Sequence, residues 1–240
     1  MRFSVMSLLA GAAVAAAGSL DSHTWMNWDK RMVAHPNEII FPASEDEVVA
    51  LVKQAVQAGA GLKVVGAGHS FSAIALTQNA PALASDAAPE WMVSLDKMQD
   101  VLGRDGDLVT VEAGIRLFQL NAELETRGLA LANLGATAEQ SLAGAIATGT
   151  HGTGARFGSI STQVVSLRIV TAAGEVVVVD GGEELSAARV ALGALGVVTS
   201  VTLAAVPLAT LELVTEPWDL DDLLAALPRL LEQYPLHSQW

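Results

Sequence analysis

The chain has 240 residues, 51% hydrophobic and 16% charged, enough apolar matter for one large domain or two lobes and not the composition of a disordered chain. Against 26 acidic residues stand 13 basic ones; at a net charge of −13, neither nucleic acid nor an anionic membrane surface gains neutralising contacts from this protein. There is no cysteine, which removes disulfides, thiolate metal sites and cysteine nucleophiles.

The N-terminus reads MRFSVMSLLAGAAVAAAGSLDS. One arginine precedes an apolar run from Phe3 to Ala17, and small residues follow. That is the layout of a secretory signal with cleavage between Ala17 and Ser19. The run is short for a membrane span, which needs about 20 residues. Residues 1–19 are expected to be a signal, directing the chain to the secretory pathway or a membrane, and 20–34 an N-terminal arm. An alanine-rich helix or an anchor stays open.

Ser44-x-x-Glu47 is a capping box, and Val48, Val49, Leu51, Val52, Ala55 and Val56 form a helical stripe that Gly59 and Gly61 end. Leu62–Val65 reads as a buried strand. Residues 78–90 hold Pro81 and Pro89 and read as a loop, and Met92–Leu95 as a strand. Gly103-Arg104-Asp105-Gly106 reads as a turn, and Leu108–Glu112 alternates like a strand. Leu117, Leu120 and Leu124 lie at helical spacing before Gly128. Ser141 can open a short helix to Ala147. Val164–Thr171 and Glu175–Asp180 form a hairpin pattern around Ala172-Ala173-Gly174. Glu183–Leu192 is predicted helical, with Glu183 and Glu184 suiting its N-terminus. Val197–Val206 reads as a long strand stopped by Pro207, Leu211–Thr215 as another, and Asp219–Leu231 as an amphipathic helix. Strands and helices mix without strict alternation, so the expected fold is α+β in two lobes.

Two loops could carry chemistry. In the first, VVGAGHSFS at 64–72, glycines surround His69. A dinucleotide fingerprint would need a third glycine where Phe71 stands. A serine elbow, Gly68-His69-Ser70-Phe71-Ser72, would need a later acid and histidine, and only His151 and His237 follow. A phosphate cradle of backbone N–H groups, with His69 turned to a cofactor ring, is the third reading; a tight turn with a solvated histidine is the plain one. The second loop, ATGTHGTG at 147–154, is too small-sided for a core and can line an anion or an aromatic edge with N–H and O–H donors; its plain reading is a flexible surface loop. Trp25 and Trp28 read as packing anchors. His23, His35 and His237 lack metal-ligand partners at usable spacing, and no metal is expected.

MNWDK at 26–30, IIFPASEDEVVALV at 39–52, VVGAGHSFS, VTVEAGIRLFQLNAELETRGLALANLGA at 109–136, SLAGAIATGTHGTG at 141–154 and LGALGVVTSVTL at 192–203 together resemble flavoproteins with a vanillyl-alcohol-oxidase/PCMH-type FAD-binding domain. Within that family the chain looks most like the sugar-1,4-lactone oxidases and alditol oxidase. The resemblance covers residues 25–215. It implies a small α/β lobe beside a larger mixed or antiparallel sheet lobe with helices, over residues 35–208. It also implies FAD bonded through the 8α carbon to a histidine, here His69, a neutral imidazole being a nucleophile near pH 7.

By position the other FAD contacts implied are Val64, Val65, Gly66, Ala67, Gly68 and Ser70 at the pyrophosphate, Ala136 where relatives often hold serine, and Ser141 and Gly144 in a first helical turn. Thr148, Gly149, Thr150 and His151 would lie beside the flavin, and Val198 would hold the cofactor's other end through its backbone. The plain alternatives are a core valine for Val198 and a helix cap for Ser141. In the family a substrate-binding cap domain follows; residues 209–240 are expected to be its start, with the catalytic acids and bases beyond, so no general base is named. The implied reaction oxidises a sugar-1,4-lactone of the D-arabinono- or L-gulono- type, or a polyol, with oxygen as electron acceptor. A flavin-binding chain without turnover and a serine hydrolase using Ser70 are the other classes. Membrane association stays open.

Overall fold

The computed structural model describes residues 23–77, 88–154, 156–212 and 214–234. The expected signal at 1–19, most of the proline-bounded loop (78–87), His237 and the expected cap strand after Tyr234 lie outside those residues.

The N-terminal arm is a two-stranded antiparallel ribbon of β1 (Trp25–Met26) and β2 (Val33–Ala34). After β3 (Glu38–Ile40) comes α1 (Glu45–Ala58). Glu47 N–H donates to Ser44 Oγ at 3.2 Å, but Glu47 Oε2 accepts from Ala43 N–H rather than Ser44, so the capping box closes one residue early. Val48, Leu51, Val52 and Ala55 are buried, and Gly59 at φ 63° ends the helix in the left-handed region. The chain returns through β4 (Gly61–Val65) and later β5 (Glu90–Ser94), making a parallel three-stranded sheet in the order β3-β5-β4. Parallel strands need a crossover connection, and α1 carries the chain from β3 to β4 on the two sides of β5.

The larger lobe is a five-stranded antiparallel sheet. Its strands are β6 (Val101–Asp105) and β7 (Leu108–Glu112), then β9 (Val164–Val170), β10 (Val176–Val179) and β11 (Val197–Ala204), in the order β10-β9-β11-β7-β6. Between β7 and β9 lie α2 (Leu117–Glu125), β8 (Leu129–Ala130) and α3 (Leu142–Ala147); α4 (Gly182–Ala188) lies between β10 and β11. β12 (Val206–Pro207) pairs with β8, and α5 (Leu220–Gln233), capped by Asp219, follows. The observed architecture is the expected α+β arrangement of two lobes. One core joins them, from Val48 and Leu51 of α1 through Leu117, Leu120 and Leu124 of α2 to Leu167 and Val201.

At the lobe junction Glu45, in the first turn of α1, meets Arg168 of β9 in a bidentate pair (2.7 and 3.0 Å) and accepts the Thr199 hydroxyl of β11 at 2.6 Å. The forked geometry matches guanidinium to carboxylate. The arginine holds the Glu45 carboxyl below its usual range against a smaller opposing effect of burial.

Four sequence expectations shift. Gly103–Asp105 belong to β6, because a bulge between Val101 and Gly103 keeps the strand in register with β7; the turn is Gly106-Asp107. Helix α4 stops at Ala188, and Leu192 (φ 54°) and Gly193 (φ 77°) then bend left-handed, which no helix admits. Pro207 is part of β12 rather than a stop. Leu211, Glu212, Val214 and Thr215 carry no regular structure, so the expected strand there is absent from the described residues.

Candidate functional site

A cleft of about 530 Å³ opens where β4, α1, α3, the end of β9 and the start of β11 meet. That is within the usual size of small-molecule sites, roughly 300–1,000 Å³. Val64, Val65, Gly66, Ala67, Gly68, His69, Ser70, Ser141, Gly144, Thr148 and Val198 all line it, facing Ala188 and the turn 191–196. Ala136, Gly149, Thr150 and His151 stand outside its wall.

The first loop leaves β4 at Val65 and is locked from two sides. Gly66 lies against Ser141, where a Cβ would fall 1.9 Å from the hydroxyl oxygen. Gly68 has φ 72°, and a Cβ there would meet Asn27 Cα at 3.1 Å and Trp25 Cζ2 at 3.2 Å, so conformation and space both demand glycine. The arm grips the loop from outside. Trp28 N–H donates to Gly68 C=O at 2.8 Å, and Asn27, 4% exposed, donates its amide to Ser70 C=O at 2.9 Å while accepting Met32 N–H. The Gly68 and Ser70 carbonyls are thus engaged, and among the described residues no acceptor meets the N–H groups of Ala67, Gly68, His69 or Ser70. Such a row of free donors is an anion-binding concavity.

His69 is half-buried, and its ring stacks on Trp28 at 5.6 Å between centroids and 22° between planes. Burial is the largest influence on the imidazole and lowers its pKa; the negative field of Glu139 opposes this, and the positive field of Arg116 adds to it. Arg116 itself is held by Asp96, which lines the cleft, at 2.7 Å.

The second loop contributes less of the wall than its composition promises. Ser141 sits at the start of α3 but its side chain caps nothing; it is 4% exposed, and its hydroxyl meets no partner among the described residues. The first amides of α3 are already taken, Leu142 by Ile115 and Ala143 by Ala113. Thr148 donates its hydroxyl to Gly144 C=O at 3.0 Å. Thr150 Oγ1 accepts from the Gln140 amide at 3.2 Å, and exposed His151 places Nδ1 2.8 Å from Gly152 C=O, where it donates. Two polar atoms of residues lining the cleft are buried without a partner among the described residues: Gln140 Oε1 and Thr171 Oγ1. Neither was singled out by sequence reading. Val198 lies in β11, half-buried, beside a bulge against β9.

Two sequence readings meet plain geometry here. Ser70 Oγ is bonded to Ser72, at 3.1 Å from its hydroxyl, and no imidazole among the described residues reaches it, so a serine nucleophile has no base. Trp28 is not a packing anchor: it is 63% exposed and touches the site through His69. Asn27 was likewise missed as a builder of the loop. Its only signal was its place in the MNWDK stretch.

Residues 36–180 match the family described as "FAD binding domain". The chain is 45% identical over 190 residues to an L-gulono-1,4-lactone dehydrogenase of Mycobacterium tuberculosis, covering 79% of this chain and 42% of that protein. It is 41% identical over 212 residues to a D-arabinono-1,4-lactone oxidase of Eremothecium gossypii, covering 84% and 37%. The chain thus spans about two fifths of the length of these relatives. Among solved structures, cholesterol oxidase from B. sterolicum is similar with a TM-score of 0.68 at 22% identity, covering 77% of this chain and 37% of that one, a likeness of fold alone.

Proposed function

The chain belongs to the FAD binding domain family, and from that premise we propose that the cleft beside His69 takes up FAD for the oxidation of a CH–OH group of a sugar-1,4-lactone. The observation that carries the reading is the row of unpartnered amides from Ala67 to Ser70 in the cleft wall. A diphosphate offers acceptors only, and these are donors only. The unpartnered Ser141 hydroxyl and Thr171 Oγ1 are polar groups that a ligand in the same cleft can satisfy. Ala143, Ile146, Ala188 and Val197 give the wall apolar surface for a ring system. The residues present therefore fit the cofactor.

Bound there, FAD supplies a two-electron acceptor for hydride from the substrate carbon. The protein's part is positional. Gly66 and Gly68 let the backbone come close, the arm residues Asn27 and Trp28 hold the Gly68 and Ser70 carbonyls, and Val198 of β11 lines the same cleft. We further propose that a ring nitrogen of His69 is bonded to the 8α carbon of FAD. The half-buried imidazole, biased toward its neutral form, suits that role.

The lactone is proposed from the relatives' names, D-arabinono- and L-gulono-1,4-lactone, and oxygen as acceptor from the one named an oxidase, the other being named a dehydrogenase; the substrate-orienting groups are proposed to lie outside this FAD-binding part. Residues 1–19 are proposed to direct secretion or membrane attachment. The test is reconstitution of the chain with FAD, then addition of gulonolactone, arabinonolactone or xylitol with peroxide release and dye reduction read in parallel. The reading expects a yellow protein, whose colour a lactone bleaches without oxygen once the substrate-orienting groups proposed outside this FAD-binding part are supplied. A protein that stays colourless with excess FAD contradicts it.

A further inference from the structure

Trp28 is the site's least explained side chain. It does not line the cleft, it is 63% exposed, and its ring contacts among the described residues are His69 and, edge-on at 6.4 Å and 89°, Phe71. An indole left that far in water contributes little as core. Yet it is firmly placed: its own N–H is bonded to Gly68 C=O, its neighbour Asn27 is buried and bonded to Ser70 C=O, and the β1–β2 ribbon is pinned where Lys30 (φ 62°) turns left-handed and donates to Asn27 C=O. Hydrogen bonds on both sides of His69, one from backbone and one from the Asn27 side chain, thus lead into the arm that carries the indole. One face of the imidazole is stacked on the indole, and His69 itself lines the cleft.

From this arrangement we infer that Trp28 is a positioning residue: its indole fixes the plane of the His69 imidazole for attack on the flavin methyl carbon. The inference rests on the tether proposed above. In that reaction a ring nitrogen of His69 forms a bond to the 8α carbon, the imidazole N–H proton and one methyl hydrogen are lost, and the released electron pair passes with two protons to dioxygen, which leaves as hydrogen peroxide. Trp28 takes no part in the electron or proton movements. It restricts the rotation of the ring, which matters because a reacting group held in line needs no further ordering. A stacked pair of this kind biases orientation on the order of tenfold.

The experiment compares the 240-residue protein with Trp28→Leu and Trp28→Phe. Flavin-free protein is mixed with FAD in air, and the flavin retained after acid precipitation is followed in time. Reversible FAD affinity is measured separately by flavin fluorescence, with His69→Ala and the double variant His69→Ala/Trp28→Leu. The inference expects Trp28→Leu to retain flavin about tenfold more slowly and Trp28→Phe to recover most of the rate, with reversible affinity changed less than twofold. It also expects the His69 ring proton resonances of the flavin-free protein to lose their indole ring-current shift in Trp28→Leu. Equal rates of retention in wild type and Trp28→Leu overturn the role of Trp28 alone, and so does a loss of reversible affinity matching the loss of rate. Wild type that binds FAD but retains none in acid overturns the tether, and the role of Trp28 with it.

Discussion

Gly66, at the exit of β4, and Ser141, at the start of α3, are so close that a Cβ on the glycine would lie 1.9 Å from the serine hydroxyl and 3.1 Å from its Cβ. The two loops of the site are therefore closed against each other through the absence of one methyl group. Gly66→Ala is expected to push them apart, at a cost of about 1–3 kcal/mol in stability and a clear loss of FAD affinity. Since both crowding atoms belong to Ser141, adding Ser141→Gly is expected to restore much of the stability. Thermal unfolding of the single and double variants checks this; a double variant as unstable as Gly66→Ala alone contradicts it.

Asn27 joins the arm to the cofactor loop with both ends of its amide. Asn27→Ala leaves the Ser70 carbonyl and the Met32 N–H without their partner, which costs about 1–3 kcal/mol when such groups stay buried. Amide hydrogen exchange is expected to speed up in residues 64–72 while α2 keeps its protection. Uniform destabilisation without that local signature would mean that Asn27 merely supports the fold.

The pH dependence of tethering follows from the direction of the His69 shift. Burial lowers its pKa below the usual 6.5, so the reactive neutral form is already dominant at pH values where an ordinary histidine is half protonated. The rate of flavin retention is expected to rise with pH and level off with a midpoint below 6.5. Glu139→Gln removes a charge that favours the imidazolium, and should move the midpoint lower still. The sign for stability agrees: with the folded pKa depressed, the contribution is full above the unfolded value and lost as pH falls through the window beneath it. An NMR titration of the His69 ring reads the midpoint directly.

Glu45 ties α1 to the larger sheet, and its carboxyl is held low chiefly by Arg168. A depressed carboxyl pKa stabilises above the ordinary value of 4.5 and loses that effect as pH falls below it. Glu45→Gln should therefore lower stability at pH 7 by roughly 1 kcal/mol, a modest value because the pair is partly exposed, and less at pH 3. Equal losses at both pH values, measured by denaturant unfolding, would assign the effect to packing.

Much of this fold was legible because its longer elements carry strong periodic signals. The Ser44 cap and its stripe announce α1; Leu117, Leu120 and Leu124 announce α2; alternation announces β7, and the hairpin pattern around Ala172-Ala173-Gly174 announces β9 and β10. Strands β1, β2 and β3 span two or three residues each, too few for a period of two to register. Alternation misled at Leu211–Thr215, where a strand-like pattern meets no partner strand among the described residues. Helix α4 stops at Ala188, and the left-handed backbone at Leu192 keeps it from reaching the predicted end, at a residue type that gives no warning of it.

The site divides in the same way. Glycine content marked the loop around His69, and the family resemblance supplied its chemistry. Composition does not say which members of a small-residue run face a cleft, so Thr148 lines it and Gly149, Thr150 and His151 do not. The arm was opaque for a different reason. Whether a tryptophan is buried depends on what the fold brings over it, and here Trp28 is left 63% exposed, its ring partners among the described residues being a histidine and a phenylalanine distant in sequence.

The most direct test of the account is the intact mass of the protein after incubation with FAD in air, measured under denaturing conditions beside His69→Ala. The account predicts that wild type gains the mass of one FAD less two hydrogens, and that His69→Ala binds FAD in solution yet flies at its bare mass. Wild type at its bare mass, or an adduct that survives in His69→Ala, would contradict it.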